Sequence, residues 1–423
     1  MHRSNDGEPS TGRLGAGGRF AHRVAAWFGG VLALVVAVII GQAILGSSGA
    51  PPGDAEEGTT KTVANIPVGW TKLPRPPEVR EGAAFLWTGT EFIAWGGCAP
   101  TFSDACDPTA DGFAFDPVNR SWERIPKAPL AATLADAIWT GEEAIFLHPV
   151  NERLGGQAYD PRSGEWREIT IAPIGIRDGS IEVWTGSELI VWGGGEPGDP
   201  ASRRGAAYDP STDTWRPIPQ APLGLNLASG MWTGRELLVF GSLLDSRNIA
   251  ATRTSVGAAY DPDADSWREL PPSRLSPQAT SAVWLDGRML AWDYEVRSQA
   301  YDPARDTWSA PIRMPLDFNE CYPDSVDVGD LVFAFFCGTV ALYDVASGSW
   351  REIHGGPLEA DVEAGSGSSY KLWRFATLVP AQNVVFLAME GITTSGRRGE
   401  VCYGCPGSPV SYWAYRPPAQ RGH

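Results

Sequence analysis

Apolar runs separated by short turns recur along most of this chain and predict β-hairpins. Three clear examples, each with a Thr-Gly turn, are AFLWTGTEFIAWGG (residues 84–97), IEVWTGSELIVWGG (181–194) and GMWTGRELLVFG (230–241). Weaker copies of the pattern occur in residues 137–147, 282–292, 326–336 and 374–389. The chain therefore begins each of several successive units with the same two strands.

A second hairpin follows within each unit, marked by an aromatic residue, Asp-Pro, and a Trp seven residues after the aromatic. The motif occurs at Tyr159/Trp166, Tyr208/Trp215, Tyr260/Trp267 and Tyr301/Trp308, and with one substitution at Phe115/Trp122 and Tyr343/Trp350. Pro fixes φ for a turn while Asp bonds its own backbone two residues on, so the motif predicts a hairpin turn. Four strands in roughly 40–50 residues are typical of a propeller blade.

The two ends of the repeat region each hold an incomplete unit. Residues 70–74 resemble the fourth strand at residues 122–126 but have no earlier strands of their own, and residues 412–417 form a third strand with nothing after it. Pairing of these ends would close the ring and remove an open edge. The sequence therefore predicts an all-β fold, a seven-bladed β-propeller over residues 66–417.

The repeat resembles the kelch family, in which Gly-Gly closes the second strand and a Tyr, then a Trp, mark the third and fourth. Gly96-Gly97 and Gly193-Gly194 carry that pair, Gly241 keeps half of it, and His148 stands where another blade has Gly193. Kelch-like propellers include galactose oxidase and a bacterial sialic acid epimerase, so the resemblance implies a carbohydrate enzyme as one hypothesis. Copper chemistry is not expected, because only His148 and His354 precede the terminal His423 in the exported region. We expect no metal and no cofactor.

Composition and charge agree with one large repeat domain. The 423 residues include 49 Gly, 35 Pro and 18 Trp, which suits many short strands joined by tight turns. The net charge of -16 gives a surface that repels phosphate. Nucleic acid is therefore not an expected partner.

An apolar stretch of 23 residues (24–46) near the amino terminus is long enough to cross a membrane as a helix. Arginines precede it and acidic residues follow it, which predicts a cytoplasmic tail (1–23), a single-pass signal anchor in the cell membrane and an extracytoplasmic propeller. Residues 47–65 are expected to be a flexible linker, and 418–423 a tail. The alternative is a cleaved signal peptide, with small residues at 47–50.

All six cysteines lie beyond the apolar segment, in the part expected to meet an oxidising compartment. Their positions favour three local disulfides, Cys98 with Cys106, Cys321 with Cys337, and Cys402 with Cys405. The last pair also has the spacing of a redox or metal motif, but no second such pair or His cluster accompanies it.

One face of the propeller is expected to carry the variable loops, at residues 98–110, 195–205, 242–257 and 390–410. The innermost strands begin at this face, six residues before the Trp of the first hairpin. The predicted ligand-binding residues there are Glu81, Thr133, Asp178, Asn226 and Gln278, flanked by Arg80 and Arg177, together with His148. Mixed carboxylates, amides and guanidinium groups suit a sugar or a carboxylated ligand.

Two functions are compatible with this pattern. The first is a binding module that recognises a carbohydrate, peptide or protein ligand at its loop-rich face. The second is a metal-independent carbohydrate-active enzyme, in which Glu81 or Asp178 acts as base and Arg80 or Arg177 orients the substrate. Spacing alone specifies no catalytic residue.

Overall fold

Antiparallel hairpins are arranged in seven separate sheets in the computed structural model of the protein. The structure describes residues 63–418 except 79, 99–106, 176, 196–202, 244–252, 278–280, 294, 296, 315–323, 337–338, 346, 358–370, 395–400 and 403–409. Six sheets each come from one continuous stretch of chain, and the seventh combines both ends. The protein is thus an all-β, seven-bladed propeller, as the repeat predicted.

The first strand of the chain, β1, covers Gly69–Lys72. Blade 1 consists of β2 (Glu81–Trp87), β3 (Phe92–Cys98), β4 (Gly112–Asp116) and β5 (Ser121–Ile125). Blade 2 consists of β6 (Asp136–Trp139), β7 (Ala144–Val150), β8 (Arg153–Asp160) and β9 (Glu165–Glu168). Blade 3 consists of β10 (Asp178–Trp184), β11 (Leu189–Gly195), β12 (Gly205–Asp209) and β13 (Thr214–Ile218). Blade 4 consists of β14 (Asn226–Trp232), β15 (Leu237–Ser242), β16 (Val256–Asp261) and β17 (Ser266–Glu269).

Of the remaining three blades, blades 5 and 7 each contain one short additional strand. Blade 5 consists of β18 (Ser281–Leu285), β19 (Arg288–Trp292), β20 (Arg297–Asp302), β21 (Thr307–Trp308) and β22 (Ile312–Arg313). Blade 6 consists of β23 (Asp324–Val328), β24 (Leu331–Phe336), β25 (Thr339–Asp344) and β26 (Ser349–Ile353). Blade 7 consists of β27 (Lys371–Ala381), β28 (Val384–Thr394), β29 (Val401–Cys402), β30 (Val410–Arg416) and β1.

The first strand of every blade lies innermost and contacts the first strands of both neighbouring blades. The order round the ring is β2, β6, β10, β14, β18, β23, β27 and back to β2. Seven clusters of buried apolar side chains fill the spaces between the sheets. The core is therefore distributed between blades, as expected for a repeat domain.

Blade 7 closes the ring by pairing the two ends of the repeat region. β1 runs antiparallel to β30, with Trp70 opposite Tyr415 and Gly69 opposite Arg416. β1 is thus the fourth strand of a blade whose other strands come from the end of the chain. The predicted closure is present in the structure.

Adjacent blades are joined by a hydrogen bond that repeats with the motif. In blades 1 to 5, the indole Nε1 of the fourth-strand Trp donates to the backbone oxygen four residues after the corresponding Trp of the preceding blade. These bonds, of 2.7 to 2.9 Å, are Trp122 to Pro74, Trp166 to Pro126, Trp215 to Thr170, Trp267 to Pro219 and Trp308 to Pro271. The Trp of the repeat therefore joins blades as well as filling space between them.

The residue after the Trp forms a second link between blades. Arg216 bonds the carboxylate of Glu188 in its own blade at 2.6 and 2.8 Å and donates to the hydroxyl of Tyr260 in the next at 3.3 Å. Tyr260 in turn donates to Asp265 at 2.6 Å. The same arrangement occurs at Arg167, Glu143, Tyr208 and Asp213, and at Arg268, Glu236, Tyr301 and Asp306.

Several sequence predictions fall where the structure gives no description. The cytoplasmic tail, the apolar segment 24–46 and almost all of the linker lie outside the described residues, as do Gln278, Cys106, Cys321, Cys337 and Cys405. Cys98 ends β3 and Cys402 lies in β29. Because the predicted partner of each cysteine is not described, the disulfide pairing stays a prediction. Within the described part of the chain, no helix is long and apolar enough to span a membrane.

Candidate functional site

The inner strands of blades 1, 3 and 4 begin at equivalent places on one face of the propeller. Their first residues each lie opposite the last residue of the second strand, in the pairs Glu81 with Cys98, Asp178 with Gly195 and Asn226 with Ser242. We call this side the loop face and the opposite side, with the tight hairpin turns, the turn face. Three predicted site residues thus start strands at the loop face, although only the backbones of Asp178 and Asn226 are described.

Arg80 lies at this face in a dense ionic cluster and is only 8% exposed. Its Nη2 donates to Glu78 at 2.5 Å and lies 3.5 Å from Asp111. Arg124 bonds the other oxygen of Glu78 at 2.7 Å and lies 3.6 Å from Asp111. The hydrogen bond from Arg124 is the main cause that lowers the pKa of Glu78. Since each carboxylate lies near both arginines, the two negative charges neutralise the two guanidinium groups.

Two buried polar atoms beside this cluster have no hydrogen-bond partner among the described residues. They are the Nε of Arg80 and the Oε1 of Glu81, on adjacent residues at the start of β2. Burial raises the pKa of the half-buried Glu81 carboxyl above its ordinary value. A donor and an acceptor therefore lie together without protein partners at the loop face.

Thr133 of blade 2 lies directly against this part of blade 1. Its hydroxyl donates to the backbone oxygen of Gly82 at 3.4 Å, and the next residue, Leu134, donates its N–H to the same oxygen at 2.8 Å. A Cβ at Gly82 would meet Thr133 Oγ1 at 2.6 Å, so only glycine allows this approach. The structure thus brings Arg80, Glu81 and Thr133 together.

Arg177 occupies the same place in blade 3 as Arg80 in blade 1, because both precede an acidic residue and a glycine with positive φ. Its Nη1 donates to the backbone oxygens of Gly193 at 3.2 Å and Arg204 at 2.9 Å. Blades 1 and 3 therefore present the same Arg–carboxylate–Gly segment on either side of blade 2.

His148 lies within blade 2 and is only 4% exposed. Its Nδ1 lies 3.2 Å from the Pro149 oxygen, which can only accept, so Nδ1 carries the hydrogen. Nε2 then accepts from the Nε2 of Gln157 at 3.3 Å. Burial lowers the pKa of His148 below its ordinary value and so favours the neutral ring. These contacts are typical of a structural histidine, and the predicted role of His148 in ligand binding stays a prediction.

Sequence reasoning passed over Leu134, which stands next to the predicted Thr133. Its backbone φ is 54°, in the left-handed region, and its side chain is 55% exposed. Gly82 and Gly179 occupy the same position in blades 1 and 3, each five residues before the Trp of its strand, with φ of 63° and 68°. The sequence does contain a signal for Leu134, because a leucine stands at the position that is glycine in blades 1 and 3. We define the mouth as Arg80, Glu81, Thr133, Leu134, Arg177 and Asp178.

Three carboxyl groups inside the inner strands were also missed. Asp136 of β6 and Glu182 of β10 influence each other between blades 2 and 3, and burial is the main cause that raises the pKa of both. Glu182 accepts a hydrogen bond from Ser180 at 2.6 Å. Burial also raises the pKa of Asp327 in β23 to about 6. Their signal in the sequence was an acidic residue within an otherwise apolar strand.

The chemistry available at the mouth is hydrogen bonding, together with proton exchange by the Glu81 carboxyl. No group of three His, Cys, Asp or Glu residues that could hold a metal ion occurs in the described ranges. No protein-family model matches the chain, and a search of curated proteins found no match. The mouth geometry is therefore the basis for assigning a function.

Proposed function

We propose that this protein is a kelch-like binding module that takes up a carbohydrate, peptide or protein ligand at its loop face. The proposal includes a tether, the helix predicted over residues 24–46, which would hold the propeller outside the cytoplasm. The apolar segment with its preceding arginines supports the anchor. The Gly-Gly pairs and the Tyr-to-Trp spacing support the kelch resemblance.

The observation that carries this proposal is the unpaired donor and acceptor of Arg80 and Glu81. Each buried polar group without a partner costs about 1–3 kcal/mol, and folded proteins contain few of them. A ligand hydroxyl or amide can accept from a guanidinium group and donate to a carboxylate. Binding of such a ligand explains why both atoms lie at the same end of β2.

A second function is favoured by the partial burial of the Glu81 carboxyl. Burial raises its pKa, so this carboxyl keeps its proton to a higher pH than an exposed Glu does, as a general acid or base requires. Arg80, beside it, could orient a substrate. This supports a metal-independent carbohydrate-active enzyme, of the epimerase or mutarotase kind, as the alternative.

Binding by the purified full chain tests the proposal, measured by calorimetry against a panel of oligosaccharides and peptides. We expect Glu81→Gln to weaken binding about tenfold, since the amide keeps the shape but loses the charge. Arg80→Lys should weaken it similarly, because lysine keeps the charge but has no Nε donor. Glu165→Gln, an exposed position in β9, is the matched control and should bind as the wild type does.

Two results would contradict the binding module. One is the absence of binding to any member of the panel, and the other is unchanged binding by both mouth variants. Incubation of bound sugars with the protein, followed by NMR, distinguishes the alternative. Turnover that Glu81→Gln abolishes while binding persists would favour the enzyme.

A further inference from the structure

Leu134 combines two unfavourable features at the mouth. The left-handed conformation places the Cβ of an L-residue close to the backbone, so glycine is the usual residue there, as at Gly82 and Gly179. The side chain is also 55% exposed, and it therefore gains little from burial in the propeller itself. Residues held in such conformations are concentrated at functional sites.

The exposed side chain lies next to the polar atoms already described. A Cβ built on Gly82 would be 3.1 Å from Leu134 Cδ2, so the leucine packs against the backbone immediately after Glu81. An apolar surface and a carboxylate are therefore adjacent at the mouth. Ligand sites of this kind combine apolar contact with a few polar groups that fix orientation.

The charges at blade 1 restrict which ligand fits. The guanidinium groups of Arg80 and Arg124 lie within 4 Å of the carboxylates of Glu78 and Asp111, so two positive charges meet two negative ones. Glu81 adds a further carboxylate, for which no ion pair occurs among the described residues. The cluster thus has no positive charge left over for an anionic ligand, and Glu81 repels one.

We propose that Leu134 contacts the apolar C–H face of an uncharged saccharide whose hydroxyl groups bond to Glu81 and Arg80. This inference rests on the proposed binding function and specifies its ligand class. A sugar ring has C–H groups on its faces and hydroxyls at its edge, which matches a leucine beside a carboxylate. A uronic or sialic acid would place a second negative charge beside Glu81.

The test compares neutral and acidic oligosaccharides on the purified full chain by calorimetry. Malto-, cello-, manno- and chito-oligosaccharides form the neutral set, and oligogalacturonate and sialyllactose form the acidic set. We expect a neutral member to bind about tenfold or more tightly than either acidic one. Leu134→Gly should weaken that binding about fivefold or more, while the melting temperature stays the same or rises, because glycine relieves the backbone.

Two further variants complete the design. Leu134→Asn tolerates the left-handed conformation without an apolar side chain and should weaken binding as Leu134→Gly does. Val118→Ala alters another exposed apolar residue, in the turn between β4 and β5 on the turn face, and should leave binding unchanged.

The possible failures are distinguishable. If the neutral saccharides bind, Glu81→Gln weakens them and Leu134→Gly does not, the role of Leu134 is wrong while the binding function stands. If only acidic saccharides bind, the ligand class is wrong. Absence of binding to every saccharide and peptide in both panels would overturn the binding function and this inference together.

Discussion

The indole Nε1 of Trp70 donates a hydrogen bond of 3.3 Å to the backbone oxygen of His354, although 284 residues separate the two. His354 lies four residues after Trp350, which is the same spacing as in the five other indole bonds between blades. Trp122, for example, bonds Pro74, four residues after Trp70. The two ends of the repeat region are thus joined by the same contact that joins consecutive blades.

Gly356 allows this closing contact and should not tolerate a side chain. Its φ is 72°, and an added Cβ would lie 2.4 to 2.7 Å from three atoms of the Trp70 ring. We expect Gly356→Ala to lower the free energy of unfolding by about 2 kcal/mol more than Gly355→Ala, measured by chemical denaturation. Gly355 is the matched control, because its φ of 86° is similar but its Cβ would lie 3.7 Å away. Equal losses would contradict a clash at the closure.

Among the described residues, the junction between blades 5 and 6 has no counterpart of the repeated indole bond. The buried Nε1 of Trp350 has no partner among the described residues, whereas Trp267 donates to Pro219 at 2.9 Å. Trp267→Phe should therefore cost about 1 kcal/mol more than Trp350→Phe in denaturant unfolding, since only the first substitution breaks a hydrogen bond. A larger loss for Trp350→Phe would show that its indole N–H is satisfied.

Blade 1 has Glu123 where blades 2, 3 and 4 have the bridging arginine. Burial is the main cause that raises the pKa of Glu91, and the nearby charges of Asp116 and Glu123 add to it. Glu123→Arg should place a guanidinium group opposite Glu91 and stabilise the fold by about 0.5 kcal/mol, measured by denaturant midpoint. Glu123→Gln removes the repulsion alone and should lie between this variant and the wild type. A destabilised Glu123→Arg protein would show that the geometry of the other blades does not extend to blade 1.

The Asp136–Glu182 pair should make stability fall as pH rises. Burial raises the pKa of Glu182 to about 7, so the native state keeps a proton that the unfolded chain releases near pH 4.5. This contribution is fully present below the unfolded pKa and is lost as pH rises through the folded one. Glu182→Gln should therefore be more stable than the wild type at pH 8, by about 2 kcal/mol, and this advantage should shrink at pH 5.

Denaturant unfolding at both pH values checks this prediction. Glu168→Gln, which makes the same change at an exposed position in β9, is the matched control. If the advantage of Glu182→Gln were the same at pH 5 and pH 8, the carboxyl would not titrate with a raised pKa.

The blade count and the ring closure could be predicted from the sequence because local turn chemistry recurs in phase. Each Asp-Pro turn specifies one hairpin. The seven-residue spacing makes Tyr208 and Trp215 direct partners on the two neighbouring strands. Part of the mouth was also predictable, since Arg80 and Glu81 precede a recognisable strand. The turns and strands that carry these predictions are specified by residues only a few positions apart in the sequence.

Only the tertiary structure decided what lies between blades. Strand alternation does not show that Asp136 influences Glu182, because the two lie in different blades about 40–50 residues apart. Nor does it show that the Nε of Arg80 has no hydrogen-bond partner among the described residues. Leu134 adopts a left-handed backbone where it packs against Gly82 of the neighbouring blade, although leucine has no local preference for that conformation. The sequence determined the scaffold through short-range rules, and long-range packing determined which side chains meet at the mouth.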